Sequence, residues 1–170
     1  MSFVLPVDGA WCLFSPELAA RADLPRWRQQ AATFFDADLS SVQTLTDPVL
    51  PSSAALELDV TSLRGGGPTR VRVVTVALAE APALLAHAEQ AVAAIGGAGF
   101  DALLRRAQRL WQVQARPVGG GDPRAPLVVA AVLASVLLAP VVPPGERTAF
   151  GVRGARVRLM DAGWPDVRRE

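Results

Sequence analysis

Two carboxylates one residue apart, Asp36 and Asp38 in FFDADLSS (34–41), have the spacing best suited to chemistry. Such a pair can divide nucleophilic and acid/base work, or hold a divalent cation. A second cluster is cationic. Arg105, Arg106 and Arg109, with Arg116 close by, present guanidinium groups suited to phosphate, carboxylate or nucleic acid. A third is GGGDPRAP (119–126), where glycines precede a helix start whose free N–H groups can meet an anion, although Asp122 stands in the same place. The remaining reactive types occur once each, as Cys12 and His87. Neither alone makes a metal set, so no metal ligands and no cofactor are assigned. A nucleophile–base pair of the two would need the fold to bring them together.

The apolar pair followed by Asp-x-Asp resembles the nucleophile motif of the haloacid-dehalogenase-like phosphatases. That resemblance covers only these few residues. It implies Asp36 as nucleophile, Asp38 as acid/base, Mg²⁺ between them, and later metal-binding acids at Asp161 and Asp166 of LMDAGWPD (159–166). The chain departs from the family twice. The motif follows RWRQQAATFF, which is helical in pattern rather than a strand, and the family's lysine is absent.

All 17 basic residues are arginine. Lysine, asparagine and tyrosine are absent and Ile95 is the only isoleucine, the bias of a GC-rich bacterial genome or its phage. Schiff-base and P-loop lysines are thereby excluded, and G-x-S-x-G does not occur. The net charge of +1 gives no global pull toward nucleic acid or an anionic membrane. One cysteine permits no internal disulfide, and the first residues lack a basic signal-peptide start; a reducing compartment fits without being required, and a cytoplasmic protein is the expectation.

The elements that must position these groups read as α+β. FVLPV-DG-AWCLF predicts a hairpin over 2–14 turning at Asp8-Gly9. Ser15-Pro16-Glu17 opens a short helix to about Ala22, and Asp23 caps a second through Phe35, with Trp27 and Ala31 on its apolar stripe. A short strand is expected near Val42–Leu45. LELDV (56–60) and RVRVVTVAL (70–78) pair as a second hairpin, setting Glu57 beside Arg72 and Asp59 beside Arg70. Pro82 opens a helix that ends at Gly96-Gly97. Another helix is expected over 100–114, with Leu104, Leu110 and Trp111 inward and the three arginines outward. GARVRLM (154–160) reads as a late strand.

LVVAAVLASVLLA (127–139) lies in an uncharged run from Ala125 to Gly145. As a helix it is about 20 Å long, short of the roughly 30 Å of a bilayer core, and Pro126 and Pro140 stop its extension, so no membrane span is expected. The expected architecture is an antiparallel sheet of two β-hairpins plus a late strand, packed by four to five helices, the fully apolar one (126–139) central. The domain would cover 1–160 and a tail 161–170. On this reading the chain is a non-catalytic interaction or assembly component, an adaptor, immunity-type binder or structural subunit. Its partner is another protein or a second copy. Trp164 and the small-residue side of the apolar helix, Ala130, Ala134 and Ser135, are the candidate interface. The alternatives are an Mg-dependent phosphatase-like hydrolase using Asp36 and Asp38, and an anionic-ligand or nucleic-acid module using Arg105, Arg106 and Arg109.

Overall fold

Ten consecutive residues, Ala125 to Ala134, are buried, and the architecture is what it takes to wrap them. They belong to α4 (Ala125–Leu137), a helix with no polar face to offer water. The computed structural model describes residues 9–43, 48–116 and 120–164. Among these, β1 (Trp11–Ser15), β2 (Ala37–Ser41), β3 (Ala54–Ser62), β4 (Thr69–Ala77), β5 (Arg109–Ala115) and β6 (Val141–Val142) form one antiparallel sheet in the order β2-β3-β4-β5-β1-β6. The remaining helices are α1 (Leu24–Phe34), α2 (Pro82–Ala94), α3 (Phe100–Arg106) and α5 (Val152–Asp161). The α+β class and the antiparallel sheet match the sequence expectation.

Strand alternation sorts the core into two layers. Leu58, Val71, Val73, Trp111, Val113 and Leu13 point to one face, where α4 packs between the sheet and the helices α1 and α5. Trp27 of α1 meets Trp111 edge-on at 5.9 Å. Phe14, Val74, Val76 and Leu110 point to the other face, beneath α2 and α3. That second layer is incomplete: the outward residues of β3 and the near half of β4 are Glu57, Asp59, Arg70 and Arg72, none of them buried.

Several expectations hold in detail. Asp23 caps α1 by accepting from the Arg26 N–H. The β3–β4 register sets Glu57 opposite Arg72 and Asp59 opposite Arg70, and Arg70 grips Asp59 at 2.7 Å. Glu57 turns instead to Arg116 of the loop after β5, 3.0 Å away. No described helix is long and apolar enough to cross a membrane.

Other expectations fail for identifiable reasons. The helix expected over 100–114 stops at Arg106, and 109–115 is strand β5. This strand lies between β4 and β1 with both faces covered, so its inward residues do not alternate and imitate a helical stripe. The late strand is helix α5, whose Ala155 and Leu159, one turn apart, are its buried residues. Gly154 permits this packing, because a Cβ there would stand 2.5 Å from Cβ of Phe150. The short helix before Ala22 does not form. Its backbone bonds go to residues 48–50 instead, with Ala22 donating to Pro48 and Leu50 to Ala20. The strand expected near Val42–Leu45 is β2, several residues earlier, and 44–45 lie outside the described residues. The first arm of the 2–14 hairpin also lies outside them, while its second arm is β1, paired with β5 and β6.

Leu133 is fully buried in the middle of this wrapped helix. Leu133→Ala is expected to cost about 2–5 kcal/mol of unfolding free energy, measured by urea denaturation followed through the tryptophans.

Candidate functional site

The sequence-derived candidates are dispersed by the fold. Arg105 and Arg106 are exposed on α3, Arg105 paired with Asp101 at 3.7 Å, the expected i,i+4 contact. Arg109 leaves that face entirely. It is buried in β5, where its guanidinium donates to the carbonyls of Leu18 (2.6 Å) and Ser52 (2.7 Å) and to the Thr75 hydroxyl (3.2 Å). Burial lowers its pKa, opposed by the charge of Glu80. Arg109 therefore ties two loops to the sheet. The groove beside Arg105, about 650 Å³ between α2 and α3, has an apolar floor of Leu85, Val92 and Leu104, with Glu89 and Asp101 as well as Arg105 on its walls. Two acids against one cation make it a poor anion site.

Trp164 is not in an exposed tail. It is buried, its indole N–H donating to the Phe35 carbonyl at 2.7 Å, with Arg124 stacked over the ring at 5.1 Å. Ala130 and Ala134 are buried within the chain's own fold. Ser135 on the same side donates to Gln30 of α1 at 3.0 Å. The small-residue side is thus covered by α1. Asp122 is clasped by Arg124 at 2.6 Å, and that hydrogen bond holds its carboxyl below the usual range. The glycine loop is closed by this pair rather than open to an anion.

Asp36 follows α1 through a left-handed turn (φ 50°) and pairs with Arg64 at 3.4 Å. Asp38 lies within β2 and is held by Arg28 at 2.7 Å. Each carboxylate thus has its own arginine, and no group of three metal-capable side chains occurs among the described residues. Cys12 and His87 do come together, lining a cavity of about 110 Å³ with Leu84 and Val142. Burial pushes the Cys12 thiol pKa up, against the lowering effect of the Gln112 hydrogen bond. A raised thiol pKa is the opposite of what a nucleophile needs.

What the structure adds is the outer edge of β2. This strand ends the sheet. Val42 donates to the Glu57 carbonyl and Leu63 to that of Asp36, so even-numbered residues of this strand exchange bonds with β3. The N–H and C=O groups of Ala37, Leu39 and Ser41 therefore point away from the sheet. Beside Leu39 and Ser41 runs a groove of about 720 Å³, walled by Leu24, Pro25, Arg28, Gln29 and Ala32 of α1 and by Asp38 to Ser41 of β2; Ala37 is covered. Leu39 points into the core under α1, so alternation places Asp38 on the opposite face. Arg28 reaches it from α1, and its side chain passes the edge. The strand has no proline or lysine, two of the usual ways of blunting such an edge. Nothing in the local sequence distinguished it, because strand order is a tertiary property.

Arg28 and Asp38 are 63% and 36% exposed, so the latch is weak. Arg28→Ala is expected to cost no more than about 1 kcal/mol, a fall in Tm of at most about 4 °C by calorimetry. Asp122 behaves differently, because its pKa is depressed in the folded state. Its contribution is complete above pH ~4, the unfolded carboxyl's pKa, and is lost as pH falls through the folded value. The stability gap between wild type and Asp122→Asn, read from urea midpoints, should be flat near neutrality and close in acid. Comparison with known protein families, curated proteins and solved structures returns no match for this chain.

Proposed function

We propose that the chain is a non-catalytic protein–protein interaction module whose binding element is the outer edge of β2. An extended polypeptide segment adds there as a seventh strand. The observation that carries this reading is the register. Three consecutive odd-numbered residues, Ala37, Leu39 and Ser41, turn their backbone donors and acceptors away from β3. Leu39 and Ser41 line the groove under α1, whereas Ala37 is 0% and Leu39 3% exposed, so an added strand has to displace what covers them. Main-chain bonds of this kind supply affinity, and the groove supplies side-chain pockets. The ion pair of Arg28 with Asp38 crosses the edge and is exposed, so it swings aside at small cost. The arginine-only basic complement supports a GC-rich bacterial or phage source, and the single cysteine fits a reducing cytoplasm.

The test is a photo-crosslinking amino acid at Ala32, on the groove wall, activated in the native host, with Glu89 on the α2/α3 layer as the comparison site. Defined adducts at position 32 that are lost when Ser41→Pro is added are the expected outcome. Ser41→Pro removes an outward N–H and leaves the β2–β3 bonds in place. Adducts equal at both sites, or unchanged by Ser41→Pro, would overturn the reading.

A further inference from the structure

We propose that the groove between α2 and α3 binds a small organic cation, an ammonium group carried on an apolar body. The groove lies over the face of the sheet opposite α1 and α4, so it does not depend on the reading of β2. The sequence explains its shape. Leu85, Glu89, Val92 and Ala93 fall on one stripe of α2, at the spacing that stacks residues along one side of a helix. Asp101, Leu104 and Arg105 do the same on α3. The turn at Gly96-Gly97 joins the two helices and closes one end of the space between the stripes. Both glycines have positive φ, 78° and 81°, so the chain reverses there without a side chain to fill the space. The cavity is about 650 Å³, a size typical of pockets for small molecules. Closed at one end, it suits a compact ligand better than a polypeptide running through.

The lining has an apolar and a charged part. Val92 and Leu104 are buried at the floor and give the groove its shape. The apolar atoms that an occupant touches belong to Leu85, Ala93 and Ala107, none of them buried. Covering them with an apolar body is favourable. The charged part holds three groups. Asp101 and Arg105 face each other at 3.7 Å and offset one another. Glu89 is exposed and, among the described residues, has neither an ion pair nor a side-chain hydrogen bond. The groove therefore sets one uncompensated negative charge beside accessible apolar surface. An ammonium on an apolar body answers both. A carboxylate or phosphate is repelled by Glu89, and a neutral apolar molecule leaves that charge unanswered.

The experiment is a methyl-NMR titration of the full chain with three probes that share one apolar body, phenethylammonium, phenethyl alcohol and phenylacetate. Wild type is compared with Glu89→Gln and Glu89→Lys. Asp161→Lys, an equal change of charge at an exposed position of α5 beyond the other face of the sheet, is the control. Glutamine and lysine are good helix formers, so α2 keeps its structure. The expected result is saturable shifts of the Leu85, Ala93 and Ala107 methyls with phenethylammonium, weaker binding of the alcohol and none of phenylacetate. The phenethylammonium dissociation constant should rise about threefold in Glu89→Gln and about tenfold in Glu89→Lys, and stay unchanged in Asp161→Lys. If a Glu89 variant fails to fold, the ranking of the three probes on wild type decides. No saturable shift, equal binding of phenylacetate, shifts confined to other methyls, or a Glu89→Lys no weaker than Asp161→Lys would overturn the proposal. So would a lysine-rich peptide that shifts these three methyls where phenethylammonium does not, which assigns the groove to a protein partner.

Discussion

A helix without a polar side has to be enclosed, and α4 imposes that requirement on every neighbour. Val128 to Leu133 are fully buried, so the helix can lie neither on a surface nor at an edge. The sheet covers it from below, and α1 and α5 cover it from above. Its small residues allow α1 close, which brings Ser135 within bonding distance of Gln30. Trp27 reaches through to Trp111 on the sheet. The position of α1 is therefore a consequence of covering α4. The groove between α1 and β2 follows from it, because a helix drawn over α4 leaves the outermost strand only partly sheltered.

The two faces of the sheet show how differently polar groups can be accommodated. On the enclosed side, one buried arginine donates to two carbonyls and a hydroxyl. Its charge is retained because the loops around Leu18 and Ser52 supply the acceptors that burial demands. On the open side, charges pair across strands in partial contact with water, Arg70 with Asp59 and Arg116 with Glu57. Such pairs contribute little individually. Their effect is to keep that part of the sheet polar, in contrast to the apolar half beneath α2 and α3.

Legibility in the sequence followed the number of neighbours each element has. The β3–β4 hairpin was readable to the exact register because each strand alternates over one buried face and the turn between them is local. The α1 cap and the apolar α4 were readable for the same reason, since their signals lie within a few residues. Strand β5 was not, because a strand covered on both faces loses its alternation, and Leu104, Leu110 and Trp111 fall on a helical stripe by coincidence. Helix α5 was missed because RVRLM alternates like a strand, while its packing depends on Gly154 meeting Phe150. The candidate site was less legible still. Asp36 and Asp38 attracted attention by residue type, whereas what distinguishes β2 is its place at the end of the sheet. That place is set by β1, which pairs with the distant β5 and β6 and leaves β2 with β3 as its single neighbour.

The pairing of β1 with β5 joins strands from opposite halves of the chain. Leu13 lies opposite Trp111, and the Trp111 indole donates to Ser15 at 3.3 Å. Strand β1 also carries β6, so it is paired on both sides by segments made long after it. During synthesis, the hydrophobic strand Trp11–Ser15 emerges about a hundred residues before β5 and must wait for its partners. The β3–β4 hairpin can form in that interval, but the enclosure of α4 cannot. The sheet thus closes late, around a strand made about a hundred residues before its partners.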